Sequence, residues 1–303
     1  MSTAVYRLAE EIVGSGNAKQ NEPMSAHTTF RIGGAADMYF TPGSADEIAR
    51  LVKLLRQHSV PCYIIGNGSN LLVGDKGIRG AVVEIGRGFG DISVSGSVVT
   101  AQSGVLLSKL SNFAASKGLS GLEFASGIPG SLGGAVYMNA GAYGGEMKDV
   151  VSRVVYLSDE CEVCELSADE CCFDYRRSFF SDKNCVILAA EMQLKERDTE
   201  AIRADMRELS AKRTAKQPVD KPSAGSTFKR PAGGFAAALI EQAGLKGFSV
   251  GGAMVSDKHS GFVINNGGAT AEDVVRLIEH IKEKVMEVHG IELQTEVKLI
   301  GEF

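Results

Sequence analysis

The chain has 303 residues, a length that predicts two domains, with one large or three small domains as alternatives, and a substantial hydrophobic core. Hydrophobic residues make up 44% and charged residues 23%, and the mean hydropathy is zero, which excludes a disordered tail and a membrane protein. No apolar run approaches the roughly 20 residues of a spanning helix, and Glu10 and Glu11 stand where a signal peptide would be apolar. We therefore expect a cytoplasmic protein. The net charge of −5 argues against nucleic acid or an anionic membrane as a partner.

Glycine is the most informative residue type. The chain has 36 glycines and only seven prolines, whereas the usual glycine share is about 7%. Glycine without proline and without a repeat indicates backbone that approaches another group closely or adopts positive φ. We expect that group to be a ligand.

The six cysteines predict neither a disulfide framework nor a metal site. A disulfide framework suits a short secreted chain, which this is not. Cys161 and Cys164 have the spacing of a zinc knuckle, and Cys171 and Cys172 are adjacent in sequence. Adjacent thiols fit a tetrahedron poorly and no second spaced pair follows, so reduced thiols are the favoured interpretation, with zinc as the alternative.

The first predicted elements end at a glycine-rich turn. A helix of about 14 residues follows the capping box Ser44-Ala45-Asp46-Glu47. A short apolar strand, Cys62–Ile65, then leads into Gly66-Asn67-Gly68-Ser69-Asn70. Successive backbone N–H groups in such a turn can hold an anion such as a pyrophosphate. Further strands are predicted at 82–85 and 98–101, and a helix over 106–113.

A polar helix is predicted over Thr199–Lys216, inside a basic stretch. Between Arg203 and Arg230 the balance is +5 in a protein of −5. Such a stretch forms either a solvated helix face or a binding surface for an anionic, phosphorylated substrate. Lys221 and Lys229 are the stronger candidates for binding because they lie in a loop that contains glycine and serine.

The C-terminal third predicts a small α+β domain. A helix over 235–243, a strand over 261–265, a helix from the capping box at Thr270 and a last strand over 291–300 follow one another. Alternation along the last strand places Ile291, Leu293, Val297 and Leu299 on one face and Glu296 on the other. Glu296 is therefore expected to face solvent or a cleft.

Several common active-site motifs are absent from the sequence. The chain has no phosphate loop of the G-x-x-x-x-G-K-[ST] type and no nucleophile elbow. Gly66 and Gly68 are followed by Leu71 where a dinucleotide-binding fingerprint needs its third glycine. In contrast, GIPGSLGGAVYMNAGAYGGE at 127–146 supplies many unhindered N–H groups, which suits a flat or phosphate-bearing cofactor.

Five motifs together resemble the UDP-N-acetylenolpyruvoylglucosamine reductase family. They are NGSNLL at 67–72, the glycine-rich stretch at 127–146, YRRS at 175–178, SAGSTFKRP at 223–231 and GGAMVSDKHSGFVINNGGAT at 251–270. They occur in family order over residues 20 to 303. The length matches the shorter form of the family, which lacks an extra tyrosine-bearing loop. Where the family often has F-K-N-P, this chain has Phe228-Lys229-Arg230-Pro231, so an asparagine contact is not expected there.

The resemblance implies an α+β fold of the vanillyl-alcohol-oxidase (PCMH) type, with two α+β subdomains that bind FAD and a C-terminal α+β domain that binds substrate. The implied boundaries are an N-terminal helix at 1–20, an FAD-binding domain at 21–198 with subdomains at about 21–90 and 91–198, and a substrate-binding domain at 199–303. FAD is expected to be held without a covalent bond.

The resemblance also implies the reaction. NADPH gives a hydride to FAD, and the reduced flavin passes a hydride to the enolpyruvyl β-carbon of the UDP-sugar. Arg176 and Glu296 are expected to stabilise the charge that develops on the substrate, and Ser226 to donate a proton to the α-carbon. A guanidinium aimed at a carboxylate stabilises charge in a transition state. A serine hydroxyl is a weak acid but can protonate an enolate that it contacts.

The binding residues implied by the resemblance fall into two groups, and no metal ligand is expected. Tyr175, Lys229 and Lys221 are expected to bind substrate. The expected FAD contacts are Asn67, Gly68, Ser69, Asn70, Leu71, Gly127, Ile128, Gly130, Ser131, Gly133, Gly134, Asn139 and Gly141. The partners are the UDP-sugar enolpyruvyl ether and NADPH, and the protein is expected to be a monomer.

Two alternative functions stay open. One is a flavin oxidase of the same fold that uses oxygen, against which Ser226 and the basic stretch argue. The other is a catalytically silent sugar-nucleotide-binding protein, which would be colourless when purified. It is disfavoured because three catalytic positions are filled.

Overall fold

The computed structural model describes residues 3–232 and 234–303. The chain forms two compact units, each assembled from separate stretches of sequence. The first contains 3–20, 38–67 and 80–212, and the second contains 21–37, 68–79 and the described residues from 213 to 303. The domain boundaries expected from the sequence are continuous ranges and stay a prediction.

Seven α-helices lie in the described residues. Six of them lie where helices were predicted, and the polar helix has the predicted bounds, whereas the fourth lies in the glycine-rich stretch, for which no helix was predicted. The N-terminal helix ends well before residue 20, and residues 1 and 2 of that expected segment lie outside the described residues. The helices are α1 (Thr3–Val13), α2 (Ala45–Gln57), α3 (Leu107–Ser116), α4 (Leu132–Tyr137), α5 (Thr199–Lys216), α6 (Ala236–Gln242) and α7 (Ala271–His289).

Both predicted capping boxes begin helices, although only Thr270 has the full reciprocal pair. The Ser44 hydroxyl accepts from the Glu47 N–H at the start of α2. At the start of α7, Thr270 and Asp273 cap each other reciprocally. The Asp75 carboxylate also accepts from the first two N–H groups of α7. This remote carboxylate at a helix N-terminus was not foreseen from the sequence.

Eighteen short strands lie in the described residues, and most pair with antiparallel neighbours. The strands are β1 (Ala18–Pro23), β2 (Ala35–Phe40), β3 (Cys62–Ile65), β4 (Leu71–Val73), β5 (Ile78–Glu84), β6 (Ile92–Ser95), β7 (Val98–Gln102), β8 (Leu119–Ser120), β9 (Gly141–Ala142), β10 (Gly145–Glu146), β11 (Val151–Leu157), β12 (Val163–Ser167), β13 (Val186–Gln193), β14 (Lys195–Glu196), β15 (Ser249–Val250), β16 (Ala253–Val255), β17 (Val263–Asn265) and β18 (Lys298–Ile300).

Two sheets and two hydrophobic cores organise the first unit. The larger sheet is antiparallel, in the order β12-β11-β13-β7-β6, and its core includes Leu107 and Leu110 of α3 and Leu132 of α4. A second sheet has the order β1-β2-β5-β3, with β3 and β5 parallel, and the division between the units falls inside β1, β2 and β5. Ile48 and Leu51 of α2 pack on the core beside it.

The second unit is built around α7. This helix buries residues at three- and four-residue spacing, including Val274, Leu277, Ile278 and Ile281. They share a core with residues of the small sheet β15-β16-β17. The strands before and after α7 lie in different sheets, because β17 pairs with β16 whereas β18 pairs in parallel with β4.

The last strand is shorter than the sequence predicts. Regular structure begins at Lys298, and Leu299 is 44% exposed although alternation places it on the buried face. The reason is a change of pairing partner. Thr295 forms a bridge with Phe228, and pairing with β4 begins at Lys298, so no single alternation runs from 291 to 300.

Within the residues that the structure describes, no helix combines the length and apolar character needed to span a bilayer.

Candidate active site

The loop after β3 has the properties of an anion site. Across the described structure, none of the backbone N–H groups at 67–70 donates a hydrogen bond. Gly68 has a φ of 59°, and a Cβ there would overlap the carbonyl oxygen of His27, so the turn requires glycine. Consecutive N–H donors in a turn of this kind bind phosphate well.

The first unit contains a cleft of about 290 Å³. Its lining includes the expected residues Asn67 and Ser131. The Asn67 Nδ2 donates to the carbonyl oxygen of Pro129 at 2.6 Å, which joins two of the predicted cofactor loops. A Cβ at Gly66 would overlap the Ser131 hydroxyl. The two loops therefore approach each other as closely as the glycine content predicts.

Part of the glycine-rich stretch packs against the backbone of the first unit. The Leu132 N–H donates to the Val105 carbonyl at 2.8 Å, and the Gly133 N–H to the Ser103 carbonyl at 2.8 Å. The Gly130 carbonyl accepts from the Leu107 N–H. These groups are thus already paired within the protein, and close packing against Ser103 explains the glycine at 133. In the same stretch, Gly127 and Gly134 are exposed and Ile128 is half-buried.

The donor groups of these loops fit a diphosphate-bearing cofactor such as FAD. The cleft lining requires glycine at residue 104, since a Cβ there would overlap the Gly86 carbonyl oxygen. The lining also includes Asn17, Thr41 and Arg87, which sequence reasoning missed. Gly86-Arg87-Gly88, directly after a predicted strand, was the signal that could have identified the last of these.

Arg176 lies in a tight turn of the first unit. Asp174 and Arg177 form a bridge across it, and Arg176 has a φ of 54°, in the left-handed region. Its guanidinium lies 5.0 Å from the ring centroid of Tyr175, and its Nη2 donates to the Gly141 carbonyl at 3.3 Å. Tyr175 is 41% exposed. The turn thus presents an aromatic ring and a guanidinium side by side.

Asn139 lies beneath that turn and is fully buried. Its amide donates to the Glu146 carboxylate at 2.8 Å and to the Asp174 carbonyl at 3.0 Å, and its oxygen accepts from the Lys148 N–H at 2.9 Å. These contacts favour a structural role over direct contact with a cofactor. The hydrogen bond from Lys148, with that from Asn139, lowers the pKa of the Glu146 carboxyl.

Ser226 is exposed on an extended segment of the second unit. The next residue, Thr227, is buried and fixes the segment on three sides. Its N–H donates to the Gly261 carbonyl at 2.9 Å, its hydroxyl accepts from the Val263 N–H at 2.9 Å, and its carbonyl accepts from the Glu296 N–H at 2.8 Å. The Gly261 N–H in turn donates to His259 Nδ1 at 3.1 Å.

The structure therefore brings Ser226 and Glu296 to neighbouring segments of the second unit. Glu296 is half-buried, and its carbonyl accepts from the Asn70 Nδ2 at 3.2 Å. The Lys298 N–H donates to the Asn70 carbonyl, and Leu71 pairs with Lys298. The side chain of Asn70 thus holds the backbone of Glu296, a role that the sequence did not indicate. Ser69, beside it, is half-buried.

The expected phosphate-binding lysines differ in their surroundings. The Lys229 N–H donates to the Gln294 carbonyl at 2.8 Å, so Lys229 belongs to the paired segments that hold Ser226. Lys221 is exposed, and its Nζ donates to the Asn266 side chain at 3.2 Å. Arg230, which stands where the family often has asparagine, lies 4.6 Å from the ring centroid of Phe235.

The cysteines do not converge on a metal site in the described part of the chain. All six are free thiols. Cys161 and Cys164 pack against different hydrophobic cores. Over residues 3–232 and 234–303, no group of three or more His, Cys, Asp or Glu side chains could hold a metal ion.

Two family models match the chain. The model described as "UDP-N-acetylenolpyruvoylglucosamine reductase, C-terminal domain" matches residues 217–300, and the model described as "FAD binding domain" matches residues 36–167. The fold of the vanillyl-alcohol-oxidase type expected from the sequence is confirmed by this match and by the solved structures below.

Curated relatives match over nearly the whole chain. The UDP-N-acetylenolpyruvoylglucosamine reductase of Caldanaerobacter subterraneus subsp. tengcongensis is 51% identical over 302 residues, covering 100% of both chains. That of Syntrophomonas wolfei is 50% identical over 284 residues, covering 94% of this chain and 95% of the relative.

Solved structures agree with the sequence comparisons. The UDP-N-acetylenolpyruvylglucosamine reductase of Thermus caldophilus superposes with a TM-score of 0.79 at 36% identity, over 91% of this chain and 97% of that one. An alkyldihydroxyacetonephosphate synthase shares the fold with a TM-score of 0.52 at 17% identity, over 65% of this chain and 41% of that one. The chain, with its FAD-binding domain and its matching C-terminal domain, belongs to the UDP-N-acetylenolpyruvoylglucosamine reductase family.

Proposed function

We propose that the protein is an NADPH-dependent flavoenzyme that reduces UDP-N-acetylenolpyruvoylglucosamine to UDP-N-acetylmuramate in peptidoglycan precursor synthesis. The observation that carries this proposal is the pairing of the Ser226 segment with the Glu296 segment through Thr227. It supports a proton donor and an acidic group on neighbouring segments of the second unit. The names of the relatives support the substrate.

FAD, when bound, would supply the hydride transfer that this reduction needs. The residues proposed to hold it are the loop at 67–71 and the first-unit cleft lined by Asn67 and Ser131. The unpaired N–H groups of the loop would bind its phosphates. Of the other expected contacts, Gly127 and Gly134 support the proposal by their exposure.

Arg176 and Glu296 would stabilise the charge that develops on the substrate carboxylate when a hydride reaches the β-carbon. The guanidinium donates hydrogen bonds to carboxylate oxygens in a fixed geometry. A carboxyl group at Glu296 stabilises the same oxygens only when it carries a proton and donates. Loss of one such donor typically costs about 3 kcal/mol of barrier.

Ser226 would hold the proton that the α-carbon needs. Its exposure leaves the hydroxyl accessible to a substrate, and the three hydrogen bonds of Thr227 fix its position. Fixed position matters because a weak acid is effective only when it is held against the atom that it protonates.

Lys229 and Lys221 would bind the substrate phosphates, and Tyr175 would contact the substrate beside Arg176. NADPH as the donor, the monomeric state and the cytoplasmic location stay predictions from the sequence. They are part of this proposal.

The test is a visible spectrum of the purified protein, followed by additions under anaerobic conditions. We expect a yellow protein that bleaches when NADPH is added and recovers its colour when the enolpyruvyl UDP-sugar is added. The corresponding sugar nucleotide without the enolpyruvyl group is the control and should leave the flavin reduced. Recovery with air alone at the same rate would support the oxidase alternative, and a colourless protein the silent binding protein.

A further inference from the structure

Asn139 is a buried polar residue that the proposed chemistry does not use. It is 0% exposed, and it uses both amide hydrogens and its oxygen within the first unit. Burial of an amide stabilises a fold only when its hydrogen bonds are made. A fully satisfied buried network fixes one arrangement of the groups that it joins.

The network of Asn139 reaches the turn of Arg176 by two routes. In the first, the amide donates to the carbonyl of Asp174, at the start of the turn. In the second, the amide donates to Glu146, which pairs with Gly141 in the β9–β10 hairpin. The carbonyl of Gly141 accepts from the Arg176 guanidinium. Asn139 therefore contacts groups that hold both the backbone and the side chain of Arg176.

The backbone at both residues needs such support. Asn139 has a φ of 42° and Arg176 a φ of 54°. The left-handed region is uncommon for residues with a side chain, and asparagine tolerates it better than most. A strained turn persists only where the surrounding structure holds it. The hydrogen bond from Asn139 to the Asp174 carbonyl joins the first of these positions to the turn that contains the second.

Only an amide of this size makes the three contacts. An aspartate has the same shape but no hydrogens to donate, and it would place a second carboxylate beside Glu146. A leucine would leave the Lys148 N–H without a partner, and the Asp174 carbonyl would keep only the hydrogen bond from the Arg177 N–H. The residue type is thus determined by the contacts that reach the turn.

We propose that Asn139 is a positioning residue for Arg176. Through the Asp174 carbonyl and through the Glu146–Gly141 pair of the β9–β10 hairpin, it holds the Arg176 guanidinium in the position that binds the substrate carboxylate. The inference rests on the proposed function, because Arg176 stabilises developing charge only if a carboxylate-bearing substrate is reduced. Asn139 itself contacts no substrate and no cofactor.

The experiment compares the two half-reactions in stopped flow for Asn139→Gly, Asn139→Asp, Arg176→Ala and the double variant Asn139→Gly/Arg176→Ala. Glycine removes the amide and still permits the positive φ. We expect Asn139→Gly to keep FAD and its reduction by NADPH, and to slow reoxidation by the enolpyruvyl UDP-sugar on the order of 10²-fold. Asn139→Asp should show the same pattern. Asn112→Ala, which loses one hydrogen bond on an exposed face of α3, is the matched control.

The double variant separates positioning from general loss of structure. If Asn139 acts through Arg176, the double variant reoxidises no more slowly than Arg176→Ala alone. If the two losses multiply, or if Asn139→Gly reoxidises like the unchanged protein, the inference is wrong. Loss of FAD from both Asn139 variants would also overturn it, because Asn139 would then serve the flavin site. If Arg176→Ala reoxidises normally, the proposed role of Arg176 fails instead.

Discussion

The two regions that carry the proposed catalytic residues are held in different ways. In the first unit, Arg176 lies in a strained turn that depends on side-chain hydrogen bonds from Asn139 and on the Gly141 carbonyl. In the second unit, Ser226 and Glu296 lie on extended segments joined largely by backbone hydrogen bonds around Thr227. The first arrangement depends on residue identity at several positions, whereas the second mostly requires an extended backbone.

This difference predicts how each region responds to substitution. Side-chain networks are lost when one member changes, because the remaining buried groups are left without partners. Backbone pairing tolerates most side chains and is disturbed mainly by changes in the few side chains that cap it. We therefore expect substitutions in the second unit to divide into those that remove chemistry and those that lower stability.

The largest expected effect is that of Ser226→Ala. The pairing around Thr227 does not use the Ser226 side chain, so the fold and the flavin should be retained, and reduction by NADPH should be normal. Reoxidation by the enolpyruvyl UDP-sugar should slow by orders of magnitude, because the proton donor is absent. Stopped-flow flavin absorbance measures both steps, and Ser210→Ala on the exposed face of α5 is the control. Unimpaired reoxidation would falsify the proton-donor role.

Elements determined by nearby residues were predictable from the sequence. The strand Cys62–Ile65 and the starts of α2 and α7 follow from local hydrophobic patterns and capping side chains, and the structure confirms them. The glycine-rich stretch at 127–146 was recognised as unusual from its local composition. Its composition alone could not show which N–H groups are free, because Leu132 and Gly133 pair with residues far away in sequence.

Contacts between distant segments account for what the sequence did not predict. The exposure of Leu299 follows from a change of pairing partner that alternation cannot reveal. Asn70 was expected to contact a cofactor, yet its side chain donates to the Glu296 backbone. Asn139 is buried and donates to the Asp174 carbonyl, 35 positions away in the chain. Each case depends on a partner whose position only the folded chain defines.

Thr227→Val tests whether the second unit is held by backbone pairing with a few capping side chains. Valine keeps the shape of threonine but cannot accept the hydrogen bond from the Val263 N–H, which is then buried without a partner. We expect a loss of about 1–3 kcal/mol in the free energy of unfolding, measured with urea. The rate of reoxidation should fall less than in Ser226→Ala.

Thr227→Ser is the matched control, since it keeps the hydroxyl. If valine and serine destabilise the protein equally, the hydroxyl does not cap the pairing, and the contrast between the two regions is weaker than we describe.

Lys229→Ala should have a smaller effect that appears in binding. A phosphate contact far from the reacting carbon stabilises the bound ground state and the transition state alike. We therefore expect KM for the UDP-sugar to rise about tenfold, with a much smaller fall in kcat. Steady-state kinetics measures both constants, and Lys53→Ala on the exposed face of α2 is the control. A fall in kcat without a change in KM would place Lys229 in the chemistry.

The smallest expected effect is a pH dependence of stability that involves His259. Burial lowers the pKa of this imidazole below its ordinary value of 6.5, and its Nδ1 must be unprotonated to accept from the Gly261 N–H. The unfolded chain therefore binds a proton near pH 6.5 that the folded chain takes up only at lower pH. The contribution of His259 to stability is therefore fully present above pH 6.5 and is lost as the pH falls below 6.5.

His259→Asn tests this pH dependence, because the asparagine oxygen can accept the same hydrogen bond without titrating. Urea unfolding at pH 7 and in mild acid should show a smaller loss for the variant than for the unchanged protein. His58→Asn, at an exposed position, should retain the full loss. An equal loss of stability in all three proteins would mean that acid acts on another group. The side-chain network around Glu146 would then be the better explanation, because the lowered pKa of the Glu146 carboxyl makes that network sensitive to acid.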